Sequence, residues 1–260
     1  MDASLTVGAW THADVLTRGG RRILREMLDW VDSELGGPAS MVEREPVNYL
    51  VTGADEWRSA SEWPPFADHR TLYLAPGGRL VDDLPPASAE AVGFIYDPGD
   101  PTPTLGGRLL ARDPGYREDS ALARRSDTLV FATEPLSQPL ELIGVPKATL
   151  AHRSEPAGGD LWVRISEVAP DGRSQNVTEG FVASPAAGMD GRTVVELDPV
   201  AHRFAAGSRL GVLVGGGSFP RYARNLGMPG PRNEGTAMTP THQRLDLGSG
   251  ASALSLPAPH

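Results

Sequence analysis

The stretch LWVRISEVAPDGRSQNVTEGFV, residues 161–182, decides what kind of fold this chain can adopt. Residues 161–168 alternate, with Leu161, Val163, Ile165 and Glu167 on one face and Trp162, Arg164, Ser166 and Val168 on the other. That is the period of a strand, and the pattern suits a sheet buried on one side. Pro170-Asp171-Gly172 is a turn signal, and a second β-prone run follows at 175–182. Outward from this hairpin, similar short runs recur at 47–51, 71–74, 91–95, 128–133, 140–151, 193–197, 209–214, 243–247 and 253–256. Turn residues such as Asp97-Pro98-Gly99-Asp100-Pro101, Ala157-Gly158-Gly159 and Met189-Asp190-Gly191 separate several of them. Many short strands without intervening helices read as a mainly β fold, a β-sandwich or jelly roll.

Composition agrees. The 260 residues include 30 glycines and 24 prolines, which excludes a helical bundle or coiled coil. There is no cysteine, so disulfide scaffolds, cysteine-based zinc sites and thiol catalysis are excluded. No apolar run approaches the ~18 residues that cross a bilayer, and MDASLTVGAW at the start has neither a basic nor an apolar leader segment. No membrane partner is expected, and the expected location is the cytoplasm. The net charge of −9, from 33 acidic and 24 basic residues, argues against nucleic acid as a partner.

One helix stands apart from the β texture. Across residues 18–35, Ile23, Leu24, Met27, Leu28, Val31 and Leu35 recur at spacings of three and four, with charged residues between them. Gly36-Gly37-Pro38 ends the helix, and its apolar stripe is expected to be buried against something. A boundary is expected between Gly36 and Pro46.

Patterns that carry chemistry are sparse. There is no GxSxG elbow, P-loop, dinucleotide fingerprint or HExxH; the closest approaches to an elbow, around Ser218 and Ser252, lack its second glycine and following helix. The six histidines, at 12, 69, 152, 202, 242 and 260, contain no pair at metal-ligand spacing, so neither metal nor cofactor is expected. Asp97–Asp100 reads as a rigid turn rather than a calcium loop. Trp57, Trp63, Phe66 and Tyr73 read as packing residues rather than a sugar-stacking platform. His12 is the histidine in an informative setting, on a loop between the β-prone run Leu5-Thr6-Val7 and the helix. An α/β hydrolase places its general base on such a loop, although spacing alone reads His12 as an ordinary loop residue. Asp97 and Asp127 begin or precede strands while Arg221 and Arg224 follow one, so at least one aspartate–arginine pair among them is expected.

Six segments in order resemble the CocE/NonD-type serine hydrolases, the cocaine-esterase-like enzymes related to Xaa-Pro dipeptidyl-peptidases and α-amino-acid ester hydrolases. VGAWTH (7–12) is similar to the family's GPWxH, and MLDWVDSELGG (27–37) to its WFDxxLxG helix. VNYLVTGADEWRSASEWP (47–64), FIYDPGDPTPTLGG (94–107), RRSDTLVFATEPL (124–136) and FAAGSRLGVLVGGGSFPRYARN (204–225) resemble further family segments. FIYDPGDPTPTLGG, like the family's YDPxDPxPxxGG loop, is the most specific match. Two positions depart from the pattern: Ala9 replaces the motif proline, and Gly207-Ser208-Arg209 replaces GHR.

The resemblance implies residues 1–40 as the closing strand, histidine loop and helix of an α/β-hydrolase domain. Residues 41–260 would be a galactose-binding-like jelly roll of the Xaa-Pro dipeptidyl-peptidase C-terminal type. It implies His12 as the catalytic histidine, with the nucleophile serine and triad aspartate ahead of the GPWxH motif and so outside these residues. Leu109 and Leu110 would form an apolar wall of the acyl pocket. The implied substrate is a small-molecule ester, amide or peptide, hydrolysed only when the catalytic domain completes the site. Alone the chain is expected to be inactive, with self-association through the exposed helix. The alternative from a different class is a stand-alone jelly roll that binds a sugar or a partner without catalysis. A weaker alternative is an inactive remnant.

Overall fold

The structure, a computed structural model, describes residues 4–38, 45–110, 113–183, 192–229 and 234–258. The turn expected at Met189-Asp190-Gly191 and residues 39–44 of the expected boundary lie outside these. The chain opens with a β-α-β unit. Strand β1 (Leu5–Val7) runs into helix α1 (Gly20–Glu34), and β2 (Val47–Val51) returns parallel to β1 with Leu5 opposite Val47 and Val7 opposite Tyr49. Strand β3 (Glu56–Ala60) folds back antiparallel on β2, closing a sheet of order β1-β2-β3. Val47, Tyr49, Val51 and Ile143 form its small core, with Trp63 and Phe66 packed against it.

Helix α1 ends as its sequence dictates: Gly36 takes φ +74°, and the Gly37 amide returns to the Asp32 carbonyl at 2.8 Å. The expected burial of its apolar stripe does not occur. No α1 residue is buried, and Leu24, Met27, Leu28, Trp30 and Val31 face solvent beside the 81%-exposed Leu35. Among the described residues no helix is long and apolar enough to cross a membrane.

The remainder is β-sandwich. Its strands are β4 (His69–Ala75), β5 (Arg79–Val81), β6 (Val92–Tyr96), β7 (Thr128–Ala132), β8 (Leu140–Gly144), β9 (Lys147–Glu155), β10 (Leu161–Val168) and β11 (Ser174–Val182). There follow β12 (Thr193–Glu196), β13 (Val200–Phe204), β14 (Arg209–Gly215), β15 (Thr241–Asp246) and β16 (Ala253–Pro257), and a short helix α2 (Ser120–Ala123) precedes β7. The order β11-β10-β14-β7 continues, through a single pairing of Arg79 with Ala132, into β5-β4-β16-β9-β15-β6, with β12 on β9; β8 and β13 form a separate pair. Between the layers lies one apolar core containing Phe131, Leu150, Leu161, Val163, Ile165, Phe204, Val212 and Leu254.

The hairpin that sets the fold class forms as its sequence requires. Gly172 takes φ +84°, the Asp171 carboxylate accepts the Arg173 amide at 3.0 Å, and Leu161 pairs with Val182. Its expected one-sided burial is corrected. Trp162, Arg164 and Ser166 on the second face are buried too, because the segment carrying α2 folds over them. The run at 140–151 is two strands, since Pro146 has no amide to donate and Gly144 turns the chain at φ +140°. Strands β3, β5 and β13 escaped the reading because their runs are short or heavily charged.

The aspartate–arginine pairing is also corrected. Asp127 is held by Arg125 at 2.7 Å and by the Thr102 hydroxyl at 2.8 Å, while Asp97 accepts the Gly99 amide of its own turn at 2.7 Å. Arg221 pairs with Glu179 and Asp198, and Arg224 donates to the Pro98 carbonyl.

Candidate active site

The loop from β1 to α1 is built around Trp10. A Cβ on Gly8 would lie 2.6 Å from the indole ring and one on Gly19 2.9 Å, so both ends of the loop close on this ring because they lack side chains. Trp10 meets Trp57 of β3 at 5.7 Å between ring centroids, and the Arg22 guanidinium of α1 lies 3.5 Å above the Trp57 ring. The Thr6 hydroxyl donates to Glu26 at 2.5 Å, tying β1 to α1.

One carboxylate organises the inner turn. Asp14 accepts the Thr11 amide at 3.0 Å and the Thr11 hydroxyl at 2.7 Å, and takes both arms of Arg18 at 2.8 and 2.7 Å. The Arg18 guanidinium first, and the two Thr11 donors after it, hold the Asp14 carboxyl well below the ordinary carboxylate range. Because the folded pKa is depressed, whatever this turn contributes is present above the unfolded value of 3.8 and is lost only as pH falls through the lowered one. Titrated by carbon-detected NMR, Asp14 stays ionised at pH 3.8, and Arg18→Ala moves its midpoint up towards that value. A midpoint at 3.8 in the parent protein would show the turn unformed in solution.

Between these anchors His12 is exposed, and among the described residues no hydroxyl or carboxylate lies within hydrogen-bonding reach of its ring. The loop is anchored on both sides of a histidine that no described residue bonds.

Leu109 and Leu110 sit on an excursion closed by Gly107 and Gly115, whose amides and carbonyls exchange hydrogen bonds at 2.8 and 2.9 Å. A Cβ on Gly115 would stand 3.5 Å from the Thr11 methyl, so the base of this excursion abuts the histidine loop. Leu109 is half-buried and Leu110 is 75% exposed. Arg108 fastens the excursion to Asp198 at 2.5 Å.

Sequence reasoning missed a polar node at the other side of that base. The Thr52 hydroxyl donates to the Ala201 carbonyl at 2.9 Å and lies 2.8 Å from both the Tyr116 hydroxyl and His202 Nδ1; His202 Nε2 lies 3.1 Å from Glu167. Burial raises the Glu167 carboxyl, but hydrogen bonds from His202 and the Ala205 amide outweigh it and hold the pKa below its usual value. Hydroxyl, imidazole and carboxylate in a row resemble a catalytic relay, yet this hydroxyl is bound to a backbone carbonyl and the imidazole is buried. The node latches the 113–118 segment to β2 and β13. Its members lie on four separate elements with no shared spacing, so no sequence signal could have found them.

The remaining candidates are structural. Ser218 is buried against the Thr104 hydroxyl at 2.9 Å, and Ser252 donates to the Asp246 carbonyl at 2.8 Å. Asp100 pairs with Arg125, and the described residues hold no group of three or more metal-ligating side chains. Trp57, Trp63, Phe66 and Tyr73 are divided among three packing environments and share no platform.

Residues 41–253 match the X-Pro dipeptidyl-peptidase C-terminal non-catalytic domain. Cocaine esterase of Rhodococcus sp. (strain MB1 Bresler) is 29% identical over 259 residues, covering 86% of this chain and 45% of that protein. A putative Xaa-Pro dipeptidyl-peptidase of Streptomyces avermitilis is 27% identical over 142 residues, 55% of this chain and 20% of that one. Among solved structures, an α-amino acid ester hydrolase superposes with a TM-score of 0.86 at 22% identity over 98% of this chain and 50% of its own. An aminopeptidase from a marine sediment Thaumarchaeota archaeon gives 0.85 at 24%, over 99% of this chain and 49% of its own. The chain therefore spans half or less of the length of these relatives, and the structural likenesses speak to fold. Matched over most of its length, the chain belongs to the family of X-Pro dipeptidyl-peptidase C-terminal non-catalytic domains, the β-sandwich portion of CocE/NonD hydrolases.

Proposed function

We propose that this chain is the sandwich half of a serine ester or amide hydrolase, and that it contributes His12 as general base when an α/β-hydrolase domain is seated on β1 and α1. One observation supports this above the others. Among the described residues, an exposed histidine follows a parallel strand that is paired on one edge, and the adjoining helix has no buried residue. Parallel sheets are stable when covered on both faces, so this β-α-β unit has the form of the margin of a larger sheet.

In the completed site the imidazole takes the proton of a nucleophilic serine, the acyl group passes to that serine, and water releases it as the acid. The proton returns to the leaving alcohol or amine, and an aspartate from the other domain fixes the imidazole tautomer. Leu109 and Leu110 supply an apolar wall for the acyl group. Residues 1–40 are on this reading the closing piece of the hydrolase domain, and residues 41–260 a jelly roll of galactose-binding-like connectivity working in the cytoplasm. The substrate is a small ester, amide or peptide.

Hydrolysis of p-nitrophenyl esters tests this. The purified chain alone shows no His12-dependent turnover, whereas turnover appears when an α/β-hydrolase domain bearing a GxSxG serine is joined ahead of it. His12-dependent hydrolysis by the chain alone would reveal a nucleophile of its own and overturn the reading.

A further inference from the structure

The outward face of β9, β15 and β6 holds a groove of about 720 Å³ at the end of the main sheet, within the size range of small-molecule sites. Register places two arginines directly opposite one another on its floor: Arg244 of β15 faces Arg153 of β9 on one side and Gly93 of β6 on the other. The neighbouring row runs Ile95, His242, Glu155 across the same three strands.

Like charges paired across two strands repel, and here no nearby anion neutralises them tightly. Arg153 reaches Asp246 only at 3.7 Å and Arg244 reaches it only at 3.8 Å, and neither guanidinium makes a hydrogen bond among the described residues. Two other exposed arginines are tightly held. Arg18 closes both arms on Asp14 at 2.8 and 2.7 Å, and Arg70 both arms on Asp82 at 2.9 and 2.8 Å. Two planar forks on facing positions of adjacent strands, each held only by a long ion pair to Asp246, are donors of the kind that take a planar oxyanion. Ile95 is half exposed at one edge of the floor and offers an apolar seat one strand away from the charges. Asp246 and Glu155 flank the forks, so a single negative charge fits there better than a doubly charged group.

We propose that this groove binds the carboxylate of a small organic acid, with Arg153 and Arg244 as paired donors and Ile95 beneath the acid's apolar body. The site does not depend on the hydrolase reading.

Sodium benzoate is the probe, read on the full chain by NMR titration, with uncharged benzamide and inorganic phosphate as comparison arms. Benzoate shifts the resonances of Ile95, Arg153 and Arg244 saturably, and benzamide and phosphate do not. Arg153→Ala and Arg244→Ala each weaken benzoate roughly tenfold, the worth of one charge-assisted hydrogen bond. Both side chains are mostly exposed, at 80% and 67%, so the variants retain the parent spectrum elsewhere. Glu155→Gln removes a flanking negative charge and tightens binding. Absence of saturable benzoate shifts, equal binding by the arginine variants, equal binding of benzamide, or displacement of benzoate by phosphate would each overturn the assignment.

Discussion

Glu179→Ala lowers the stability of this protein by about 3–5 kcal/mol, the cost of leaving a buried charge without its partner. Arg164 has no exposed surface, and its Nε and terminal nitrogen donate to one Glu179 oxygen at 3.0 and 2.6 Å. Trp162 Nε1 donates to the same oxygen at 2.9 Å, and Arg221 pairs with the other. Without Glu179, the one hydrogen-bonded carboxylate left to Arg164 among the described residues is Asp119 at 3.5 Å, and Asp119 is already engaged by the Ser166 and Ser174 hydroxyls at 2.7 and 2.6 Å. Urea denaturation reads the loss, and Glu179→Gln, which keeps shape and an acceptor, recovers part of it. A cost for Glu179→Ala below about 1 kcal/mol, within the ordinary range for a point substitution, would mean that Asp119 moves in to pair with Arg164.

The other large effect falls on activity. In the assembled hydrolase proposed above, His12→Ala lowers kcat by about 10⁴- to 10⁶-fold, the range seen when one member of a nucleophile–base–acid unit is removed. Folding is hardly affected, within about 0.5 kcal/mol, because His12 is exposed and no described residue is bonded to it. A fall in kcat with unchanged stability separates a chemical role from a packing one. Retention of activity within tenfold would assign the proton transfer to another group.

The sheet-forming segments were legible because a strand's two-residue period survives in a single sequence. Leu161–Val168, Val47–Val51 and the Asp171-Gly172 turn emerge with the boundaries their patterns imply. What lay hidden depends on long-range partners. Nothing near Arg164 in sequence announces Glu179 and Asp119, so its alternation with Val163 and Ile165 looked like an exposed face opposite a buried one. Helix α1 shows the converse failure. Its stripe is genuine, yet periodicity marks a surface suited to burial and does not report whether anything covers it. His12 was nominated by its motif, and the latch of Thr52, Tyr116, His202 and Glu167 by geometry alone.

The break at Pro146 has a mechanical consequence. Among the described strands β8 pairs with β13 alone, while β9, beginning after Val145 and Pro146, is hydrogen-bonded to β12, β15 and β16, so this corner carries the chain from one sheet into another. The corner is itself fastened from outside both strands: the Pro146 carbonyl accepts the Leu197 amide at 2.9 Å, so the crossing between sheets is pinned to the segment just after β12.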